Sequence, residues 1–198
     1  KTTDNREIFR TMTPSDKRHR IVLIHATFTS IDPIQSAFKE QWPDAETVNL
    51  LDDSLSTDLD SGESEPELIE KRILQLGKYG VQIGADGILY TCSAFGRGID
   101  EAKKQLQLPV LKPNEAMFEE AIQIGGKIGM IATFRPSIPS MEEEFEALSQ
   151  ALGKKVQLDS IFVDGAMTAL AEGNLAQHNN IIQEASTVFA EYQTVMLA

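Results

Sequence analysis

Cysteine is almost absent from this chain. One of its 198 residues, Cys92, carries a thiol, so no intramolecular disulfide can form. That composition fits a reducing compartment and places the protein in the cytoplasm by expectation. Histidine is also scarce. His19, His25 and His178 are scattered and give no ligand spacing with Cys92, so no metal site is expected. No apolar run is long enough to span a bilayer, so no membrane role is expected. No GxxxxGK[ST] loop occurs. Gly96-Arg97-Gly98 is too short for a dinucleotide fingerprint, and Gly125-Gly126 precedes a strand and reads as a turn. Positive charge is in deficit: 18 Lys and Arg stand against 30 Asp and Glu, a formal net charge of −12. That balance argues against nucleic acid or an anionic membrane as partner. It still allows a small anion in a locally electropositive cleft.

What is present is the pattern of a folded α/β protein. Hydrophobic residues make up 41% and charged residues 24%, which is ordinary for a globular chain. Strands are expected at 20–26, 45–50, 87–91, 108–111, 127–132, 156–163 and 194–198. Helices are expected at 33–41, 66–79, 99–107, 114–124, 140–152, 166–172 and 175–190. Such alternation argues for parallel sheets with helices on both faces. Residues 1–19 are polar, without apolar period or signal-peptide pattern, and read as a mobile N-terminal extension. The acidic, Ser-rich stretch from Asp52 to Glu65 reads as a solvated loop. A break is expected at Leu111-Lys112-Pro113-Asn114, where proline ends a strand and Asn114 can cap a helix. It divides the chain into halves 20–112 and 113–198.

Cys92 follows the apolar run Gly87-Ile-Leu-Tyr-Thr91 and opens the turn Ser93-Ala94-Phe95-Gly96-Arg97-Gly98. A thiol there stands at the C-terminal edge of a parallel sheet, where open α/β folds bind ligands. A helix N-terminus nearby favours thiolate, so a lowered pKa is expected. The competing reading is a buried cysteine acting as a small hydrophobe.

The chain also echoes itself. Residues 20–28 read Arg-Ile-Val-Leu-Ile-His-Ala-Thr-Phe, and residues 127–134 read Lys-Ile-Gly-Met-Ile-Ala-Thr-Phe. Pro33 and Pro139 follow the two Phe residues at the same spacing. Asp32-Pro33 reads as an N-cap and first turn, and Ser140 with Glu143 as a capping box. The echo suggests duplication, two open sheets facing each other across a cleft, and Thr27 and Thr133 at equivalent strand ends facing one ligand.

Three segments carry a family resemblance: Ile88-Leu-Tyr-Thr-Cys-Ser-Ala-Phe95, Pro109-Val-Leu-Lys-Pro-Asn-Glu-Ala116 and Ile128-Gly-Met-Ile-Ala-Thr-Phe134. Over roughly residues 20–198 the chain resembles the aspartate/glutamate racemase superfamily, which includes hydantoin racemases, maleate isomerases and arylmalonate decarboxylases. The resemblance implies two flavodoxin-like halves about a pseudo-twofold axis, a site in the cleft, and neither PLP nor metal. It implies that Cys92 is a catalytic acid/base, that Thr133 contacts a substrate carboxylate, and that a homodimer is common. The strand mirroring Ile88–Thr91 is 194–198, so the second acid/base is expected just beyond Ala198, in a chain read as a fragment.

The chemistry makes its own demands. Removing a proton α to a carboxylate requires donors that stabilise the developing enediolate. Candidates are the side chains of Thr27, Ser93 and Thr133, with Ser137 on the same loop as Thr133, and backbone N–H groups near Ser93 and Ala94. His25 ends the first strand and could orient a substrate. Each has a structural alternative, since Ser and Thr are common turn residues and a histidine beside an apolar run is often scaffolding. The leading expectation is a cofactor-independent racemase or epimerase acting on a small carboxylate or amino-acid-like substrate. A single-cysteine decarboxylase and a noncatalytic small-acid-binding protein stand as alternatives.

Overall fold

The computed structural model describes residues 18–62 and 64–198. The expected extension therefore lies, over residues 1–17, outside the described residues. The first half runs β1 (Arg20–His25), α1 (Ile31–Gln41), β2 (Glu46–Leu51), α2 (Ser54–Ser61), α3 (Pro66–Gln82), β3 (Gly87–Tyr90), α4 (Gly96–Gln105) and β4 (Val110–Leu111). The second runs α5 (Glu115–Ile124), β5 (Lys127–Ala132), α6 (Ile138–Ala151), β6 (Gln157–Phe162), α7 (Ala166–Ala171), α8 (Leu175–Ser186) and β7 (Thr194–Leu197). The fold is α/β. One sheet has order β2-β1-β3-β4, the other β6-β5-β7, and all pairings are parallel.

The central strands explain this layering. Ile21 to Ile24 of β1 and Ile128 to Ala132 of β5 form nearly continuous apolar runs, and both are buried. A strand covered on both faces needs such a run, and parallel crossovers supply the covering helices. Val22, Ile73, Ile88 and Ile99 pack into the first core, and Phe118, Ile128, Met141 and Phe145 into the second.

The two halves repeat each other to the level of backbone hydrogen bonds. Ile21 pairs with Gly87 as Ile128 pairs with Thr194, and Ile24 pairs with Tyr90 as Ile131 pairs with Leu197. Thr91 N–H donates to Ile24 O, and Ala198 N–H donates to Ile131 O. Asp86 N–H donates to Arg20 O, and Gln193 N–H donates to Lys127 O.

Two local expectations are corrected. The acidic stretch after β2 is not simply a loop: Ser54–Ser61 is helical, with Leu55 fully buried. Arg72 ties its start and middle together, reaching Asp52 Oδ2 at 2.6 Å and pairing with Asp58. Ser140 does not cap α6. That helix begins at Ile138 after Ser137, and Ser140 Oγ instead accepts the Gly96 N–H of the first half at 3.2 Å. The first helix likewise begins at Ile31 after Ser30, which places Asp32 inside its first turn.

Gly129 in β5 shows how tightly the second half is packed. A Cβ there would lie 2.5–2.7 Å from three ring atoms of buried Phe189. Gly129→Ala should destabilise the fold by about 1–3 kcal/mol through overpacking. Urea unfolding should show the midpoint fall at constant slope; an unchanged midpoint would mean the ring moves freely.

Candidate active site

Three strand ends share one design. After β1, β3 and β5 come two residues, a 3-10 turn and a helix. The turns are Phe28–Ser30, Ser93–Phe95 and Arg135–Ser137. The residue preceding each turn is extended: Thr27, Cys92 and Phe134. None of the three makes a side-chain capping bond.

This alignment corrects the expected equivalence of the two threonines. The Ala-Thr-Phe echo is one residue out of register with the structural repeat. Thr27 corresponds to Phe134, and Thr133 corresponds to Ala26. A one-residue slip along extended backbone turns a side chain to the other face. The true twins are Ser30 and Ser137, whose Oγ atoms donate to Thr27 O at 3.0 Å and Phe134 O at 2.7 Å.

Packing brings the loops together. The turn Ser93–Phe95 packs against Arg135–Ser137 of the other half. Thr91, just before Cys92, has its Oγ1 2.8 Å from His25 Nδ1 and 3.2 Å from Ser30 Oγ, which ties the β1 and β3 loops. Around this meeting point Arg97 pairs with Glu143 at 3.2 Å. Buried Lys112 reaches Asp100 at 2.8 Å and Glu144 at 3.7 Å. Glu144 is buried on its own account, which raises its pKa despite Lys112.

The residues expected at the site divide accordingly. Cys92, Ser93 and Ala94 are half-buried on one turn, and Thr27 and Thr133 are half-buried on the loops beside it. Thr27 Oγ1 lies 3.1 Å from Thr29 Oγ1. Two of the expected residues lie beneath these loops. His25 is fully buried, with Nδ1 facing the Ser30 and Thr91 hydroxyls and Nε2 3.0 Å from Asn49 Oδ1. Burial lowers its pKa and favours the neutral ring, which braces β1 against β2 and the loop after β3. Ser137 is also buried and spends its proton on Phe134 O. Thr91 and Ser140 were missed as organising residues. Thr91 lies within the expected strand, and only its cross-strand pairing with His25 gives it a role. Nothing in the sequence shows that Ser140 faces Gly96.

The thiol also differs from expectation. Burial pushes the Cys92 pKa up, and the neighbouring Ala94 backbone N–H only partly offsets this. The helix α4 begins four residues on, too far to reverse the sign. At neutral pH the resting group is therefore the protonated thiol. Iodoacetamide labelling of native protein should rise with pH with a midpoint above about 8.5, the value of a free thiol. A midpoint at or below it would contradict this electrostatic account.

The family model described as Asp/Glu/Hydantoin racemase matches residues 6–198. Solved structures share the fold. Glutamate racemase from Campylobacter jejuni subsp. jejuni matches at 16% identity and TM-score 0.64, over 90% of this chain and 80% of that one. A glutamate racemase isoform from Bacillus anthracis matches at 17% and 0.68, over 88% and 64%. Allantoin racemase from Klebsiella pneumoniae matches at 14% and 0.63, over 90% and 73%. No curated protein matches the sequence.

Proposed function

The chain belongs to the Asp/Glu/Hydantoin racemase family, and from that premise we propose that it is a cofactor-independent racemase or epimerase. Its substrate is a small carboxylate or amino-acid-like acid, and the Cys92 thiol is one of its acid/base groups. The observation that carries this reading is the position of Cys92. It follows β3 at the C-terminal edge of the first sheet and immediately precedes the turn that packs against the other half.

A protonated thiol suits one half of the reaction. Cys92 gives its proton to the α-carbon of the enediolate on one face, and a group on the other face takes the α-proton away. In the reverse direction the Cys92 thiolate removes the proton, and its raised pKa makes it the stronger base. Thr27, Thr133 and Ser93 offer hydroxyl donors to the substrate carboxylate, and the backbone N–H groups of the turn add fixed dipoles. By the repeat, Ala198 is the counterpart of Thr91; two-base racemisation would require a second acid/base on the face opposite Cys92. A decarboxylase of the same fold is the second reading, favoured by the protonated state of Cys92, because that reaction needs one acid and no opposing base. We place the protein in the cytoplasm on its single unpaired thiol; no described helix is long and apolar enough to cross a membrane.

Full-length protein incubated with single enantiomers of amino acids and hydantoins, and with 2-substituted malonates, should racemise or decarboxylate one group, read by chiral chromatography and carbon dioxide release. Cys92→Ala should abolish the conversion. Tight binding of an acid without conversion anywhere in the panel would instead identify a noncatalytic acid-binding protein.

Thr133→Val removes a hydroxyl at near-constant volume. A hydrogen bond to a charged group is worth about 1.5–3 kcal/mol, so carboxylate affinity should fall roughly ten- to a hundredfold by calorimetry. Unchanged affinity would remove Thr133 from the site.

A further inference from the structure

A cleft of about 420 Å3 lies between α4 of the first half and α6 of the second, closed on a third side by Lys112 and Glu115. Cys92, Thr27 and Thr133 are not on its wall. The wall is charged and unbalanced: Arg97 and Lys112 stand with Asp100, Glu115, Glu143 and Glu144. Arg97 pairs with Glu143, and Glu115 is taken by Lys103, which leaves Lys112 between two carboxylates. Lys112 is committed to Asp100 at 2.8 Å; Glu144 stands 3.7 Å away, beyond hydrogen-bond length. The Glu144 side chain is only 8% exposed, and its Oε1 is buried with no hydrogen-bond partner among the described residues. A buried carboxylate oxygen without a donor is costly. The same side chain lines the cleft, so the missing donor has a place to enter. Along α6 the lining then changes character. Ala147 and Leu148 follow one turn after Glu143 and Glu144, and Ala151 comes one turn later. Residues four apart share a helix face, so charge gives way to a small apolar floor over roughly 10 Å. No cluster of ligating side chains among the described residues is placed to hold a metal ion, which turns the reading to an organic cation.

We propose that this cleft is a binding site for a primary alkylammonium ion, separate from the Cys92 centre. The ammonium donates to Glu144 Oε1 and supplies the positive charge that Lys112 gives to Asp100, while the alkyl chain lies along Ala147, Leu148 and Ala151. A primary amine suits both ends, with three N–H donors on a compact charge and an apolar stem. Asp100 belongs to α4 and Glu144 to α6, so the bound cation joins the two halves as Lys112 does. A ligand that needs both halves in contact stabilises the folded chain by mass action. The site stands whether or not Cys92 transfers a proton.

Calorimetric titration of the full-length protein tests this in about 0.15 M salt, where loose attraction of cations to a chain of net charge −12 is largely screened. n-Butylammonium should bind saturably at one site per chain and raise the thermal unfolding midpoint. n-Butanol has the same chain without the charge, and tetramethylammonium has the charge without an N–H donor. Each should bind about tenfold more weakly or worse. Glu144→Gln keeps the shape of the side chain and removes its charge, and should weaken n-butylammonium about tenfold. Ala147→Phe, at an exposed position, covers the apolar floor and should weaken it as much, while its own unfolding midpoint stays near that of wild type. Absence of saturable binding to the wild type, equal affinity for the three probes, or undiminished binding in either variant overturns the site.

Discussion

Parallel strands leave all their C-terminal ends on one edge of a sheet, and right-handed crossovers return the chain to start the next strand in the same direction. Everything at this site depends on that constraint. It collects the loops after β1, β3 and β5 where they can meet, and it gives them one form: strand, two residues of which the second is extended, 3-10 turn, helix. The two halves then meet through their turns and helices, held by small features. Gly96 lacks a Cβ, which would stand 2.5 Å from Ser140 Oγ, and its N–H donates to that same oxygen. The ion pairs around Lys112 and Arg97 surround this contact.

The same burial that builds the edge sets its protonation states. His25 and Cys92 are both pushed toward their neutral forms. A neutral His25 can join Asn49 of β2 to Thr91 after β3 without bringing a charge beneath the thiol. A neutral Cys92 suits the proposed acid substrate, since a resting thiolate would repel an incoming carboxylate. The net charge of −12 thus says little about the site, which is governed by its local donors and its degree of burial.

Much of the fold was legible in the sequence because parallel α/β architecture writes itself in long alternating blocks. The runs at 20–26 and 127–132 could hardly be anything but central strands, and both are. Register was not legible. The repeated Ala-Thr-Phe is real as sequence and misleading as structure, because the hydrogen bonds of β1 with β3 and of β5 with β7 align Thr27 with Phe134. The helix at Ser54–Ser61 was hidden by its acidic, Ser-rich composition; its stability comes from Leu55 in the core and from Arg72 on a different helix. His25 and Ser137 have the residue type and chain position of substrate-binding groups, but these say nothing about whether a side chain ends in a cleft or under one, and both are buried.

The central claim is that Cys92 transfers a proton at a substrate α-carbon. Deuterium wash-in tests it most directly: a single enantiomer of a turned-over substrate is incubated in deuterated water, and the α-hydrogen signal is followed by proton NMR. Wild-type protein should replace the α-hydrogen with deuterium, and Cys92→Ser should slow that exchange by several orders of magnitude while still binding the acid. Undiminished exchange in the Cys92→Ser protein would contradict the account.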